Sequence, residues 1–153
     1  MSDTVVSFIP KVCDFLPEQT EINAIEVVAS DLFEGCTEIS INKAYELPFF
    51  IDSGQNHEAI FCPKCDSEIK VEFWQQKMES CWVEQSRGFN FDVFSTQCCN
   101  EPLCINEFVY VPHQGFARFS VEVTNPKINR NEEMLAKLRE LTKQEFCIVN
   151  AYY

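Results

Sequence analysis

The sequence predicts an α+β fold: a split βαβ, ferredoxin-like core into which a zinc-ribbon segment is inserted. Three observations point there. Outside a cysteine-rich middle, the apolar patterning runs strand, helix, strand and then strand, helix, strand. That is the order of two split βαβ halves with both helices on one face of the sheet. The middle, roughly residues 52–112, carries Cys62-Pro63-Lys64-Cys65 and later Cys98, Cys99 and Cys104. Finally, 153 residues with 46% apolar content, including 14 Phe, suffice for one domain, 1–153, with a substantial core.

Each element has its own warrant. Thr4–Ile9 (TVVSFI) is a β-rich run ended by Pro10. Ile22, Ile25, Ala29, Leu32 and Phe33 recur at the three-and-four spacing of a helix face, and Gly35 stands where such a helix is capped. In TEISINKAYEL, Ile39, Ile41, Tyr45 and Leu47 share a parity, with Lys43 the exception. This predicts a strand, which PFFID extends or bends past Pro48. Asp52–Glu58 (DSGQNHE) is a polar loop. After Cys65, Ile69, Val71 and Phe73 alternate with charged residues as a strand, and Gln75–Gln85 is a short helix; FNFDVFSTQCC returns as strand.

FARFSVEVTNP is the clearest strand: Ala117, Phe119, Val121 and Val123 face one way, Arg118, Ser120 and Glu122 the other, and Pro126 stops it. Asn131 is placed to N-cap a second helix, with Glu132 and Glu133 in the first turn, where the helix dipole favours anions. Met134, Leu135, Leu138 and Leu141 form its apolar stripe, and FCIVNAYY closes the chain as a strand.

Charge narrows the function. Asp and Glu number 24 against 12 Lys and Arg, a formal net charge of −12. That opposes nucleic-acid binding, which depends on Lys and Arg displacing counterions, and it suits a basic protein partner. The opening MSDTVVSFIPK has no basic n-region, and no apolar run reaches about 18 residues, so neither a secretory signal nor a membrane span is expected. A cytoplasmic location follows. There, an odd count of nine Cys argues for metal binding or buried thiols over a disulfide framework.

Cys62 and Cys65 form half of a zinc site, because a two-residue spacer lets a tight turn aim both sulfurs at one ion about 2.3 Å away. The other half must come from Cys98, Cys99 and Cys104. Cys98 with Cys99 requires an adjacent pair to bend toward one ion; Cys99 with Cys104 uses a longer loop and leaves Cys98 pointing elsewhere. Spacing does not decide between them. A strand enters and leaves each turn, as in a zinc ribbon. A redox dithiol is disfavoured, since that motif normally opens a helix, where the dipole lowers the thiol pKa. Four sulfurs leave no open coordination position, so a structural Zn2+ is expected, worth on the order of 10 kcal/mol of apparent folding energy. Four sulfurs also suit iron. His57 is a possible substitute ligand, and His113 sits in a turn. Cys13, Cys36, Cys81 and Cys147 lie among apolar neighbours as buried free thiols.

The blocks FFIDSGQNHEAIFCPKCDSEI and TQCCNEPLCINEFVYVPHQGFARFSVEVTNP, followed by a helix and a terminal strand ending in Tyr, carry a resemblance that covers most of the chain. It resembles a family of uncharacterised bacterial zinc-ribbon-containing proteins with CPxC, CC and GFARF blocks. The resemblance implies a shape without an activity. It sets Cys98 and Cys99 on the family's paired cysteines and Cys104 where the family has Ser, so the implied ligands are Cys62, Cys65, Cys98 and Cys99. Asp66 and Asn100 depart from the family's usual glycines, but Asp and Asn tolerate left-handed turns better than most residues.

No G-x-S-x-G, P-loop, G-x-G-x-x-G or H-E-x-x-H motif occurs. Asp52, Asn56, His57 and Glu58 are the densest polar cluster: a binding loop, or a turn bonding its own backbone. Arg118 is expected to pair with Glu122 or Asp52, or to bind an anion. Trp74, Trp82 and Tyr110 make either an exposed aromatic surface or a small core. The expected function is a non-enzymatic, zinc-stabilised binding protein that engages a basic protein partner through its acidic surface. An immunity-type inhibitor of a basic toxin is its specific form, and the alternative is an enzyme with a site near Asp52, Asn56, His57 and Arg118.

Overall fold

The computed structural model describes residues 2–44 and 46–153, so Tyr45, assigned above to a strand face, lies outside the described residues. In chain order the elements are β1 (Thr4–Pro10), α1 (Gln19–Leu32), β2 (Glu38–Lys43), β3 (Phe49–Ile51), β4 (Ala59–Phe61), α2 (Val71–Cys81), β5 (Trp82–Val83) and β6 (Gly88–Phe89). They continue as β7 (Phe94–Ser95), β8 (Pro102–Leu103), a 3-10 turn (Ile105–Glu107), β9 (Val109–Val111), β10 (Gly115–Ala117), β11 (Phe119–Thr124), α3 (Asn131–Thr142) and β12 (Phe146–Tyr152). The protein is a mixed α+β structure.

Four strands form one antiparallel sheet in the order β12-β1-β11-β2. Its register sets Phe8 opposite Val121 and Val123 opposite Ile39. Alternate residues Val6, Phe8, Phe119, Val121 and Val123 turn one face toward Ile22, Ile25, Ala29 and Phe33 of the α1 region and Met134 and Leu138 of α3. Both helices therefore cover the same face. Each large side chain fully buried there stabilises the fold by roughly 1.5–3 kcal/mol. The opposite face packs Ile9 and Val149 on Ile51 and Ala117. α1 stops at Phe33, whose N–H still reaches Ala29 O, and Gly35 then takes φ +87, which a side chain would strain.

Between β2 and β11 the chain runs out and back in nested pairs, β3 with β10 and β4 with β9, while β5 pairs β6 and β7 pairs β8. A second apolar cluster fills this region, with Ile60, Ile69, Phe73, Leu103, Ile105, Phe108, Tyr110 and Phe116 at its centre. No helix among the described residues is long and apolar enough to cross a membrane.

Five local expectations need correction. The GFARFSVEV run is two strands, because Arg118 leaves the ladder: its N–H donates to Cys13 O and its carbonyl accepts from Ala44 N–H. The bulge sends Ala117 and Phe119 to opposite faces although they are two residues apart. The segment expected to be a strand after Ile69 is helical from Val71, and Phe73, Trp74, Met78 and Cys81 pack inward at helical spacing. Of FNFDVFSTQCC, only Phe89, at the end of β6, and Phe94–Ser95 are strand; the strand expected through Leu47 ends at Lys43 and resumes at Phe49. Asn131 is the first helical residue of α3 and does not cap it; Asn129 Oδ1 accepts its N–H at 3.0 Å.

Leu138→Ala, at a fully buried position, should lower unfolding free energy by about 2–5 kcal/mol in urea denaturation. Val27→Ala on the same helical layer, at a side chain 70% exposed, should change it by less than about 0.5 kcal/mol.

Candidate metal centre

β4 runs into Cys62, and the chain reverses through Pro63, Lys64, Cys65 and Asp66. Asp66 N–H donates to Cys62 O and Cys62 N–H to Ser67 O, both at 2.9 Å. Phe61 then bridges Glu68, and Ile69 N–H returns to Ile60 O. Asp66 holds φ 62, the left-handed conformation the reversal requires.

The second turn has the same wiring. Asn100 N–H donates to Thr96 O at 3.0 Å and Thr96 N–H to Glu101 O at 3.1 Å, and Asn100 holds φ 61. Ser95 pairs Pro102 and Phe94 pairs Leu103. Matched by these bonds, Thr96 occupies the place of Cys62, Cys98 that of Lys64, and Cys99 that of Cys65. The CC pair is thus a CxxC-type turn whose first ligand position holds Thr, with the sulfur moved two residues along. Thr96 is buried like Cys62, and its hydroxyl lies 3.4 Å from Cys99 Sγ.

The two turns bring the sulfurs of Cys62, Cys65, Cys98 and Cys99 within 4.8 Å of one another. Cys62 and Cys99 are 3.8 Å apart, Cys98 and Cys99 4.0 Å. A tetrahedron with sulfurs about 2.3 Å from its centre has edges of about 3.8 Å, so the spacing fits one ion. An all-sulfur set selects zinc or iron over hard cations. Cys62 is buried and takes the Lys64 N–H at 3.4 Å, while Cys65 and Cys98 are exposed. The Ser67 hydroxyl, then the Ser67 N–H, pull the Cys65 thiol down to about 6. Desolvation pushes Cys98 up to about 11, with the neighbouring thiols adding and Thr96 opposing.

The two alternative ligands stand elsewhere. Cys104 accepts the Glu107 N–H, and its own N–H donates to the Glu107 carboxylate at 2.8 Å, capping the 3-10 turn. His57 Nδ1 accepts from Gln114 Nε2 at 2.7 Å, and its ring stacks on Trp74.

The remaining polar residues do not converge on one site. Asp52 Oδ1 accepts the Gly54 N–H and the Tyr153 hydroxyl, both at 2.8 Å. Asn56 Nδ2 donates to Asn150 O. Asn56, His57 and Glu58 line a cavity of about 450 Å3 that neither Asp52 nor Arg118 reaches. The expected ion pair of Arg118 with Glu122 or Asp52 is not formed: among the described residues the ion pairs are Arg130–Glu133, Lys137–Glu140 and Arg139–Glu145. Arg118 Nε is buried without a partner. Burial, then Asp52 and Glu38, raise the Glu122 carboxyl above its usual range against the pull of Asn42. Trp74 donates to the Tyr110 hydroxyl, which donates to Ile105 O, so both fill the second core; Trp82 alone of the three aromatics stays well exposed.

Cysteine spacing misses Thr96 and Ser67. The signal for Thr96 is the weak repeat of IFC-C-D-E-I in F-S-T-C-N-P-L, visible only when the turns are matched by position. No protein-family model, curated protein or solved structure matches the chain.

Zinc added to the reduced, metal-free protein at pH 7 should release fewer than four protons in a pH-stat titration, because Cys65 is already ionised. Release of four would show that Ser67 does not hold that thiolate before metal arrives. Cys98→Ser should weaken zinc retention against a chelator by more than the roughly 10–100-fold that loss of an outer-shell partner costs. Adding Thr96→Cys to that variant should restore retention, and no recovery would refute the equivalence of the two turns.

Proposed function

We propose that this protein is a non-enzymatic binding module. A structural Zn2+ on Cys62, Cys65, Cys98 and Cys99 stabilises an inserted zinc-ribbon-like segment, residues 52–112, and an acidic surface engages a basic protein. The observation that carries the metal is the mutual approach of four sulfurs within 4.8 Å. Zinc is preferred over iron because a closed four-sulfur site with no redox demand is the usual structural zinc set.

The carrier of the insertion is read as a ferredoxin-like core. The supporting observation is the order β12-β1-β11-β2, in which β1 and β11 are central and the two strands flanking each helix are separated by one strand. Membership of the CPxC, CC and GFARF family accords with the same turns. A reducing cytoplasm accords with nine cysteines that are all free thiols.

The acidic surface has a location. Between Lys11 and Lys43 the chain carries Asp14, Glu18, Glu21, Glu26, Asp31, Glu34 and Glu38 and no Lys or Arg. All but Glu21 are exposed, and they lie on α1 and its flanks. Uncompensated charge on one helix attracts a basic partner and sets the rate and specificity of the encounter. An immunity-type inhibitor of a basic toxin is the specific form of this reading. The enzyme alternative is weaker, because Asp52 and Asn56 are already engaged within the chain.

The test is pull-down of the tagged, reduced protein from its native host, with elemental analysis of the same preparation. One zinc per chain and a basic partner released by salt are expected. Glu26→Lys with Asp31→Lys should weaken that complex about ten-fold or more without moving the melting temperature. A metal-free protein that carries a bound metabolite and no salt-sensitive partner would refute the reading.

A further inference from the structure

Cys147 sits on the edge strand β12, opposite Ile9 of β1. Its side chain is on the sheet face away from the helices, beside Val149 and Ile51. His113, from the connection between β9 and β10, crosses the same face and brings Nε2 to 3.3 Å from Cys147 Sγ. Gly115 lies beneath both: a Cβ there would touch His113 Cε1 and Nε2 at an ordinary 3.9 Å and press on Ile9 Cδ1 at 3.2 Å. The sulfur's other contact is Ile9 O at 3.6 Å.

The pair opens on a cavity of about 400 Å3. Phe108, Tyr110 and Phe116 supply its apolar wall, and Lys11, Asn106 and Gln114 are its polar side chains beside the pair. Cys147 differs from the other thiols outside the metal cluster. Cys81 is buried, Cys36 packs on the main core, Cys104 caps the 3-10 turn, and the side-chain contact of Cys13 is the Asn106 amide. Among the described residues, only Cys147 has an imidazole within hydrogen-bond reach.

We propose that Cys147 is a thiol nucleophile with His113 as its proton acceptor, and that the adjoining cavity seats a low-molecular-weight disulfide whose carboxylate pairs with Lys11. The Cys147 S–H gives its proton to His113 Nε2 as the sulfur attacks one sulfur of the disulfide. The reagent's S–S bond breaks as the new one forms. The departing thiolate takes the proton from His113, so one disulfide is consumed, one mixed disulfide is made, and no further oxidant is required. Acceptance at Nε2 requires the ring's proton on Nδ1. Burial raises the thiol and lowers the imidazole, with Lys11 opposing the rise at sulfur. The resting pair is therefore neutral, and proton transfer accompanies attack.

The zinc-loaded full chain, incubated with glutathione disulfide and mapped by peptide mass spectrometry over time, tests this. Cys147 should be thiolated first, about ten-fold or more faster than Cys13 or Cys36. His113→Asn should slow that reaction by about a hundred-fold, the lower range of acid–base assistance, with an unchanged circular dichroism spectrum. Lys11→Ala should slow reaction with glutathione disulfide while leaving reaction with uncharged hydroxyethyl disulfide unaltered. Cys147 reacting no faster than Cys13 and Cys36 in the unmodified sequence would overturn the proposal, whatever the variants do. So would a folded His113→Asn protein reacting at the original rate. Equal slowing of both disulfides by Lys11→Ala would overturn the carboxylate contact.

Discussion

Four sulfur atoms held within 4.8 Å of each other are the constraint on which the middle of this chain depends. Four thiolates at that spacing repel. The metal-free cluster relieves this by dividing its protons unevenly, with Cys65 pulled down by Ser67 and Cys98 pushed up by desolvation. A divalent ion relieves the conflict, because it attracts all four sulfurs at once and offsets two of their four charges. The surrounding backbone gives modest help, since β4 has three residues and β7 and β8 two each. What the ladders lack in length, the second apolar cluster supplies in aromatic packing, including Phe73 on Phe94 and Phe94 on Phe108.

How much of this was legible depends on the range of the forces involved. α1 and α3 could be read because their apolar stripes are local and long, and β1 and β12 because their ends are punctuated. The Arg118 bulge could not be read. It is made by hydrogen bonds to Cys13 and Ala44, far away in sequence, and the alternation from Ala117 to Val123 continues straight through it. Ile69, Val71 and Phe73 alternate over too short a window to separate strand from helix; Trp74, Met78 and Cys81, further on, carry the helical period. Asn131 reads as a cap, but the helix begins on it: Arg130 holds the cap position, and Asn129 Oδ1 takes the Asn131 N–H. At the metal centre, cysteine spacing left two pairings open. The structure brings Cys98 and Cys99 to Cys62 and Cys65 and sets Cys104 on a helical cap, while Thr96 in a ligand's place has no signature in any cysteine count.

The main sheet separates two chemistries. On one side lie the helices, and the stretch between Lys11 and Lys43, which includes α1, presents carboxylates and contributes no Lys or Arg. On the other lie Ile9, Ile51, Ala117 and Val149, with Cys147 and His113 beside them. A partner drawn to α1 would therefore leave Cys147 and His113 uncovered. The exposed ion pairs all lie on or next to α3. Such pairs contribute about 0–1 kcal/mol each, so they moderate the charge of the helical layer more than they stabilise it.

The loop Asp52–Glu58, which in sequence looks most like a catalytic cluster, has a mechanical explanation. Gly54, at φ +58, bridges Tyr152 on the free edge of β12, and a Cβ at that glycine would collide with the Tyr152 carbonyl. Asn56 grips Asn150 O on the same strand. From this anchor a relay of contacts leads into the metal segment. Ser53 N–H donates to Gln114, Gln114 to His57, and His57 lies on Trp74, which donates to Tyr110 and through it to Ile105 O. Unpaired strand edges invite pairing with other chains, and this loop covers one end of such an edge. Several of the polar residues that suggest a reaction centre therefore fasten the segment with the cysteine cluster to the sheet. Their density follows from the need to satisfy buried backbone and ring nitrogens where two apolar clusters meet.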